Sequence, residues 1–496
     1  MTSAIIEQVC NFRNSLFNLF SYRRDSSMDL IDAIAGQPSK DSTVKVSLSN
    51  LFRRGYSSIT DVVDNFFRTE AEVNPKPEDL RKSKMKITQL IAKQCPNLFQ
   101  RRFHLFAVDC STSPRIYADK LEDRSFVHAP TKVPGQIPVT IGHQYSTLVY
   151  LPERFTCSEA HWVIPLSNER VTSKANGTIA GMEQIIDVVT DARFKDDLCL
   201  AVSDSAYSHA KCNNLTAEID NLVCASRMRN NRVFRCKLPK FQGVKKRGRP
   251  KIYGDPWSLK DPKTPDETII IEHQTASGRF CQIKIEQWRD KTDHGKNSQS
   301  DKNKDSVNKQ ESSLDFKEEQ IVFDAIKVTA LTTEGKPVYK KPLWIMVTGK
   351  RKQEISLEDV ARSYLQRFDI EHFFRFSKQK LLLTDFQTPD VRHEENWWWL
   401  SMLSYVMLYL CRYLGDHIRY PWEKKLENKK NGIRTPSQVQ RSYERIIRQI
   451  GTPARDSKPR GKSPGRPEGC QMAKRKDYPV VKKTKTCVSK EVLVAA

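Results

Sequence analysis

"FHLFAVDCS", residues 103–111, is an almost unbroken apolar run that closes on an acidic residue. A strand buried on both faces needs such a run, because neither side of its pleat meets water. Asp109 then falls at the carboxyl end of the strand. A second run of the same kind, "LCLAVSDSAYS" (198–208), carries Asp204 at its end. Between them, "PVTIGHQYSTLVYL" (138–151) and "HWVIPLS" (161–167) read as strands. "AGMEQIIDVVTDARF" (180–194) repeats its apolar residues at helical spacing, and "NLVCASRM" (221–228) supplies a fifth strand. Strands followed by alternating helix and strand predict an α/β layered fold.

Upstream, residues 1–95 show apolar periodicity near 3.6 and form a predicted helical DNA-binding region. Within it "LSNLFRRGYSSITDVVDNFF" (48–67) reads as helix, glycine turn and Ser-capped helix. That pattern fits a DNA-reading helix-turn-helix and equally any helical hairpin. The layered rhythm occupies 100–236. From 237 to 350 the texture becomes β-rich: 267–275 and 279–288 alternate like antiparallel strands, and 321–331 and 341–350 read as strands. Inside this insertion, residues about 290–315 are polar and too poor in apolar side chains to bury a core, which predicts a disordered loop. A helical block over 351–420 opens with Ser356 as a cap and Glu358 and Asp359 in the first turn. The remainder, 421–496, is basic; from residue 447 onward 13 Lys and Arg stand against 4 acids, and this tail is expected to be extended and flexible.

Across 496 residues, 83 Lys and Arg against 59 Asp and Glu leave a net charge of +24. That excess favours a polyanionic partner, either nucleic acid or an anionic membrane surface. The longest apolar run, 397–411, has 15 residues. A bilayer span needs ~18–20, so a buried helix is expected there. The first residues lack the basic start and cleavage site of a signal peptide, so a cytoplasmic chain is expected. Twelve cysteines are scattered without close pairs and read as reduced, mostly buried thiols rather than a zinc site.

"YLQRFDIEHFFRFSKQK" (364–380) combines these themes. On a helix advancing ~100° per residue, with Tyr364 at zero, Arg367, Glu371, Arg375 and Lys378 fall near 300°, 340°, 20° and 320°. The five share one stripe, opposite an apolar face of Leu365, Ile370, Phe373 and Phe376. Such a stripe fits solvated i,i+4 ion pairs. It also suits a phosphodiester: the glutamate can hold a divalent cation while Tyr, Arg and Lys hold phosphate oxygens. One carboxylate does not make a metal site, and Asp109 and Asp204 are the natural partners, although an aspartate closing a strand also serves as a turn residue. Three carboxylates can hold two Mg²⁺ ions about 3.5–4 Å apart for in-line phosphoryl displacement.

The spacing Tyr364, Arg367, Glu371, Lys378 resembles the Y-R-E-K signature of insertion-sequence DDE transposases. The order Asp109, Asp204, Glu371 resembles their catalytic triad. The resemblance runs from about Phe103 to Leu414. It implies a ribonuclease H-like mixed sheet interrupted by the β-rich insertion, and Mg²⁺-dependent chemistry in which Mn²⁺ can substitute. Double-stranded DNA, as element ends and as target, would be the partner, held by a synaptic dimer with no membrane involved. Asp109, Asp204 and Glu371 would be the metal ligands and catalytic residues. Tyr364, Arg367 and Lys378 would grip end DNA, with Arg375 added from the helical wheel. The insert of this family often supplies a tryptophan that stacks near a displaced base. Trp257, Trp288 and Trp344 are candidates, though the apolar flanks of Trp344 favour the core. "KKRGRPK" (245–251) resembles an AT-hook, which would send Arg247 and Arg249 into a narrow minor groove; a basic turn touching phosphates is the alternative. A structure-specific DNA nuclease of the same fold, or a noncatalytic DNA-binding derivative, are the competing functions.

Overall fold

A computed structural model describes residues 2–36, 42–68, 76–129, 137–154, 159–237, 254–274, 280–292, 321–332, 334–414, 433–458, 469 and 474–482. The chain divides into two compact units. The first comprises Met1–Arg102, Phe106–Arg193 and Phe368–Ala496; the second comprises Phe103–Leu105 and Phe194–Arg367.

The first unit begins with helices α1 (Thr2–Leu19), α2 (Arg24–Ala35), α3 (Thr43–Val46), α4 (Ser57–Asn65) and α5 (Pro77–Ala92). Strands β1 (His104–Pro114), β2 (Ser125–His128), β3 (Val139–Tyr150) and β4 (Ile164–Val171) follow, then α6 (Gly177–Val189). β3 is the hub. One edge pairs antiparallel with β1; the other pairs first with β2 and then with β4. Gly142 is required in β3, since a Cβ there would lie 2.1 Å from the Ser113 carbonyl oxygen.

Two expectations for this unit need correction. β1 does not end at Asp109; it runs on to Pro114, with Asp109 opposite Thr147. The continuation was hidden because its buried residues, Ser111, Thr112 and Ser113, are polar. Nor is there a helix-turn-helix at 48–67. α3 is a single turn ending at Val46, residues 47–56 form turns, and only α4 is a helix of usable length. Ile59, Val62 and Val63 bury its apolar side.

Three helices complete the unit: α9 (Asp369–Lys380), α10 (Val391–Leu410) and α11 (Pro436–Ile450). α10 contains the expected apolar run and is buried from Trp397 to Leu410. A helix apolar on every side belongs at the centre of a core. Tyr145 of β3 stacks on Trp398 at 4.1 Å, Asn396 donates to the Val63 carbonyl, and Ser404 donates to the Ile31 carbonyl. No described helix is long and apolar enough to cross a membrane. The basic tail from 447 onward is not extended throughout, because 447–450 still belong to α11; residues 474–482 are extended, pinned by backbone bonds from Tyr478 N to Asp119 O and from Val481 N to Arg124 O.

The second unit is built on β5 (Cys199–Ser203), α7 (Ala210–Thr216) and β6 (Leu222–Arg227), with β5 and β6 parallel. β7 (Val233–Cys236), β8 (Pro256–Ser258), β9 (Glu267–Gln274), β10 (Phe280–Thr292), β11 (Val322–Leu331) and β12 (Leu343–Thr348) extend it antiparallel. The order is β5-β6-β12-β11-β10-β7-β8, with β9 also paired to β10. The strand-like runs of the insertion thus form strands as expected. Trp257, Trp288 and Trp344 lie together in one core cluster with Phe234 and Phe323. They are 2%, 3% and 2% exposed, so all three pack the core. The predicted loop at 290–315 lies almost wholly outside the described residues, and Arg247 and Arg249 lie entirely outside them.

α8 (Leu357–Gln366) closes the second unit, packed on β5 and β10. Ser356 caps it as expected, its hydroxyl accepting from the Asp359 amide at 3.1 Å. The single helix read through 364–380 is two helices. α8 stops at Gln366, a turn occupies Arg367 and Phe368, and α9 starts at Asp369. The break also coincides with the boundary between the units.

Candidate active site

The residues singled out by the sequence fall into two groups, one in each unit. In the first unit, β1 carries Asp109, half-buried, with its carboxylate accepting from the Cys110 amide at 2.8 Å. α9 carries Glu371 and Arg375, both exposed, and Lys378, half-buried. Lys378 reaches β1: its ammonium donates to the Thr112 carbonyl at 3.2 Å. Burial, working against the attraction of Asp109, holds that ammonium below the ordinary lysine range. Asp109 and Lys378 are therefore electrostatic neighbours.

The placement of α9 follows from its ends. At its start Asp369 is buried in an ion pair with Arg154, and His161 Nδ1 lies 2.8 Å from its carboxylate. His161 stacks on His372 at 4.4 Å. Burial, then Arg154 and His372, push the His161 imidazole down to about 4. Past its end, Leu382 takes a left-handed φ of 55°, a conformation costly for a branched side chain. The turn is held because Trp397 donates to the Leu382 carbonyl and Ser401 to that of Leu381. Arg115, just past β1, donates to the Thr384 and Phe386 carbonyls and ties the strand to the same turn. These contacts leave Glu371 on a rigid helix.

In the second unit Asp204 follows β5 directly. Its carboxylate accepts from the Ala206 amide at 2.8 Å, which is the turn role its position allowed. Ser203 and Ser226 are opposite each other in the parallel pair, with hydroxyls 2.7 Å apart. Asp204 and Arg227 therefore emerge side by side at the carboxyl ends of two parallel strands, where α/β sheets commonly bind ligands. Tyr364 of α8 joins them. Burial raises its phenol, Arg367 and Arg227 oppose that, and Asp204 adds to it. The ring is 1% exposed, and its buried hydroxyl makes a hydrogen-bonding contact with Arg367 that falls short of good geometry. Arg367, 6% exposed, places its guanidinium 5.8 Å from the ring centroid.

Tyr364 and Arg367 are thus buried, whereas the helical wheel had them on an outward stripe with Glu371. Sequence reasoning missed Arg227, Arg154, His161, Asp369 and His372. Asp369 and His372 flank Glu371 closely enough to have been noticed; Arg227 carried no signal without the β5–β6 pairing. As a donor set, three carboxylates offer the hard oxygens that magnesium prefers. Among the described residues, however, no group of three or more His, Cys, Asp or Glu side chains is gathered to hold a metal ion.

Comparison with curated proteins finds no match. The sequence model of one family, the DDE superfamily endonucleases, matches residues 16–295, more than half of the chain. The matched span contains both Asp109 and Asp204 and stops before Glu371. On the strength of that match, with an aspartate set beside cationic groups in each unit, the chain belongs to the DDE superfamily of endonucleases.

Proposed function

We propose that the protein is a DDE-type transposase, which cuts the ends of its element and joins the freed 3′-OH ends to target DNA. One observation carries this reading. Each aspartate of the matched span is within electrostatic reach of a residue of the Tyr364–Arg367–Glu371–Lys378 set, which the match does not reach: Asp109 feels Lys378, which is bonded to Thr112 on the same strand, and Asp204 feels Tyr364. On this reading the two units contribute to a ribonuclease H-like core, with 237–350 as its β-rich insertion and 1–95 and 421–496 as DNA-holding regions. Two copies pair two element ends, and the chain works in the cytoplasm on double-stranded DNA.

Asp109, Asp204 and Glu371 would hold magnesium. Bound there, the metal supplies Lewis-acid stabilisation of the attacking and leaving oxygens of a phosphodiester. The rest falls to the chain. Lys378, poised at Thr112, and Arg375 on the same helix neutralise phosphate charge near Asp109 and Glu371. Tyr364 and Arg367, buried together in the free protein, would present a hydroxyl and a planar fork to phosphate oxygens beside Asp204 once DNA is bound. Burial makes these contacts stronger than they would be in water. Arg247 and Arg249 would add contacts in a narrow minor groove.

The test is incubation with the DNA that flanks the coding sequence, with Mg²⁺ or Mn²⁺, and mapping of the products. Asp109→Ala, Asp204→Ala and Glu371→Ala should each bind end DNA within about threefold of wild type, as expected when no phosphate-binding group is removed. All three should fail to cut. Near-normal cutting by any of them would remove that residue from the site. Cutting without joining would make the protein a nuclease rather than a transposase.

A further inference from the structure

Two hollows adjoin each other on the second unit. The first, about 400 Å³, starts at Ser205 and Arg227, next to Asp204, and continues past Arg229 and Asn230 to Lys341. The second, about 450 Å³, shares Asn230 and continues past Lys340 and Tyr339 to Lys260. Among the described residues, no aspartate or glutamate lines either one. Arg227, Arg229, Lys260, Lys340 and Lys341 are all exposed, and none is in an ion pair among the described residues. Lys327 also lines the second hollow but is already paired with Glu286.

The floor and the rim differ in character. Trp344 lies beneath the second hollow, walled by Pro262, Pro337 and Pro342. Tyr339 stands beside it, 70% exposed. The backbone that carries the arginines is held, because Met228 between them donates its amide to the Trp344 carbonyl at 2.8 Å. Cations in a row call for a polyanion. An apolar floor with an exposed aromatic ring calls for flat apolar faces, which a duplex keeps stacked inside itself and a single strand presents.

We infer that these hollows form a track for a single strand of nucleic acid leaving Asp204, with phosphates on Arg229, Lys341 and Lys340 and a base on Tyr339. The inference deepens the proposed function and rests on it for the identity of the strand. The track predicts that DNA beside the cut is held unpaired, so the protein senses more than duplex end sequence.

The test uses the full chain in EDTA, with fluorescence anisotropy of a labelled oligonucleotide of about 20 nucleotides, longer than the ~4–16 that such grooves cover. Single-stranded and duplex forms are compared across a salt series. The triple variant R229A/K340A/K341A should weaken single-strand binding about tenfold or more and lower the salt slope by about 2, at ~0.7 for each phosphate neutralised. Tyr339→Ala should weaken it about fivefold or more with the slope unchanged, because stacking releases no counterions. All four side chains are exposed, and thermal melts matching wild type confirm that the variants fold. Single-strand binding within twofold of wild type in both variants overturns the track. So does equal weakening toward duplex and single strand, which marks a general cationic surface. Failure of the cutting assay with intact effects here rejects the transposase reading and leaves the track standing; triad-dependent cutting with no effect here does the reverse.

Discussion

Tyr364 shows how one residue can serve folding poorly and function well. Its ring is buried, and in the free protein its hydroxyl has only a poorly aligned contact with Arg367. Leaving a buried hydroxyl unsatisfied costs about 1–3 kcal/mol. Tyr364→Phe should therefore stabilise the protein by about 1 kcal/mol, provided the ring packs unchanged. The same change should weaken end-DNA binding about tenfold, the worth of one hydrogen bond to a charged phosphate. Thermal melts and a binding titration read the two effects separately. A loss of stability would show that the hydroxyl is bonded within the protein, and unchanged affinity would show that it does not meet DNA. Opposite signs in stability and affinity are expected of a group kept for its ligand. At this scale the sequence was a partial guide. The types of residue at 364, 367, 371 and 378 were legible because their spacing is distinctive. That Tyr364 and Arg367 turn inward was not, since periodicity gives a direction around an axis only while the axis is continuous.

The helix is interrupted between α8 and α9, and no residue there announces it. Arg367 and Phe368 are neither Gly nor Pro, and both keep right-handed dihedrals. What holds the start of α9 comes from outside the helix, where Asp369 is paired with Arg154 and lies beside His161. Tertiary contacts of this kind leave no local pattern to read. Strands were easier, because β1, β5, β6 and β12 are buried and their apolar runs say so. Where a strand is buried yet polar, as at Ser111–Ser113, its end was misjudged. The polar stretch is tolerated because a buried network stands beside it. Glu394 of α10 lies 3.0 Å from His143 and 3.5 Å from Arg115, and the other His143 nitrogen faces the Glu122 carbonyl. Burial opposes the charge on Glu394, but the His143 hydrogen bond and the charge of Arg115 outweigh it and hold the carboxyl below its ordinary value of 4.5. A depressed carboxyl contributes stability that is complete above 4.5 and is lost as the pH falls through the folded-state value. Glu394→Gln leaves Arg115 and His143 without their anion and should cost about 3 kcal/mol at neutral pH. The gap between wild type and variant should close as the pH drops below 4.5. Denaturant titrations at about pH 7 and in the acid range test this; a gap that stays constant with pH would mean that Glu394 is not charged in the folded protein.

The excess of positive charge is a property of the whole molecule, and the C-terminal region shows why charge alone misdescribes it. Residues 474–482 are rich in cations and read as a flexible tail for holding DNA. Their structure gives them a second task. Tyr478 and Val481 donate backbone bonds to Asp119 and Arg124, Lys120 pairs with Asp477 at 2.5 Å, and Val481 forms a parallel bridge with Ser125 at the start of β2. Arg124, 2% exposed, also donates to the Tyr478 carbonyl. Ending the chain at Ala473 removes these partners and opens the edge of β2. That should cost about 1–3 kcal/mol, the sum of a few hydrogen bonds of about 1 kcal/mol each. Replacing Lys474, Arg475 and Lys476 by Gln touches none of those bonds, because all three side chains are exposed. That variant should melt as wild type does while its duplex-DNA salt slope falls by up to about 2.7, at ~0.9 for each phosphate no longer neutralised. The truncated chain should lose both stability and affinity, and only the affinity difference should vanish at high salt, where screening removes the attraction to phosphate. If the truncated chain melts with wild type, the strand-like pairing at Ser125 contributes nothing to the fold. If the Gln variant keeps its salt slope, the cations of this segment do not meet DNA, and its place is structural.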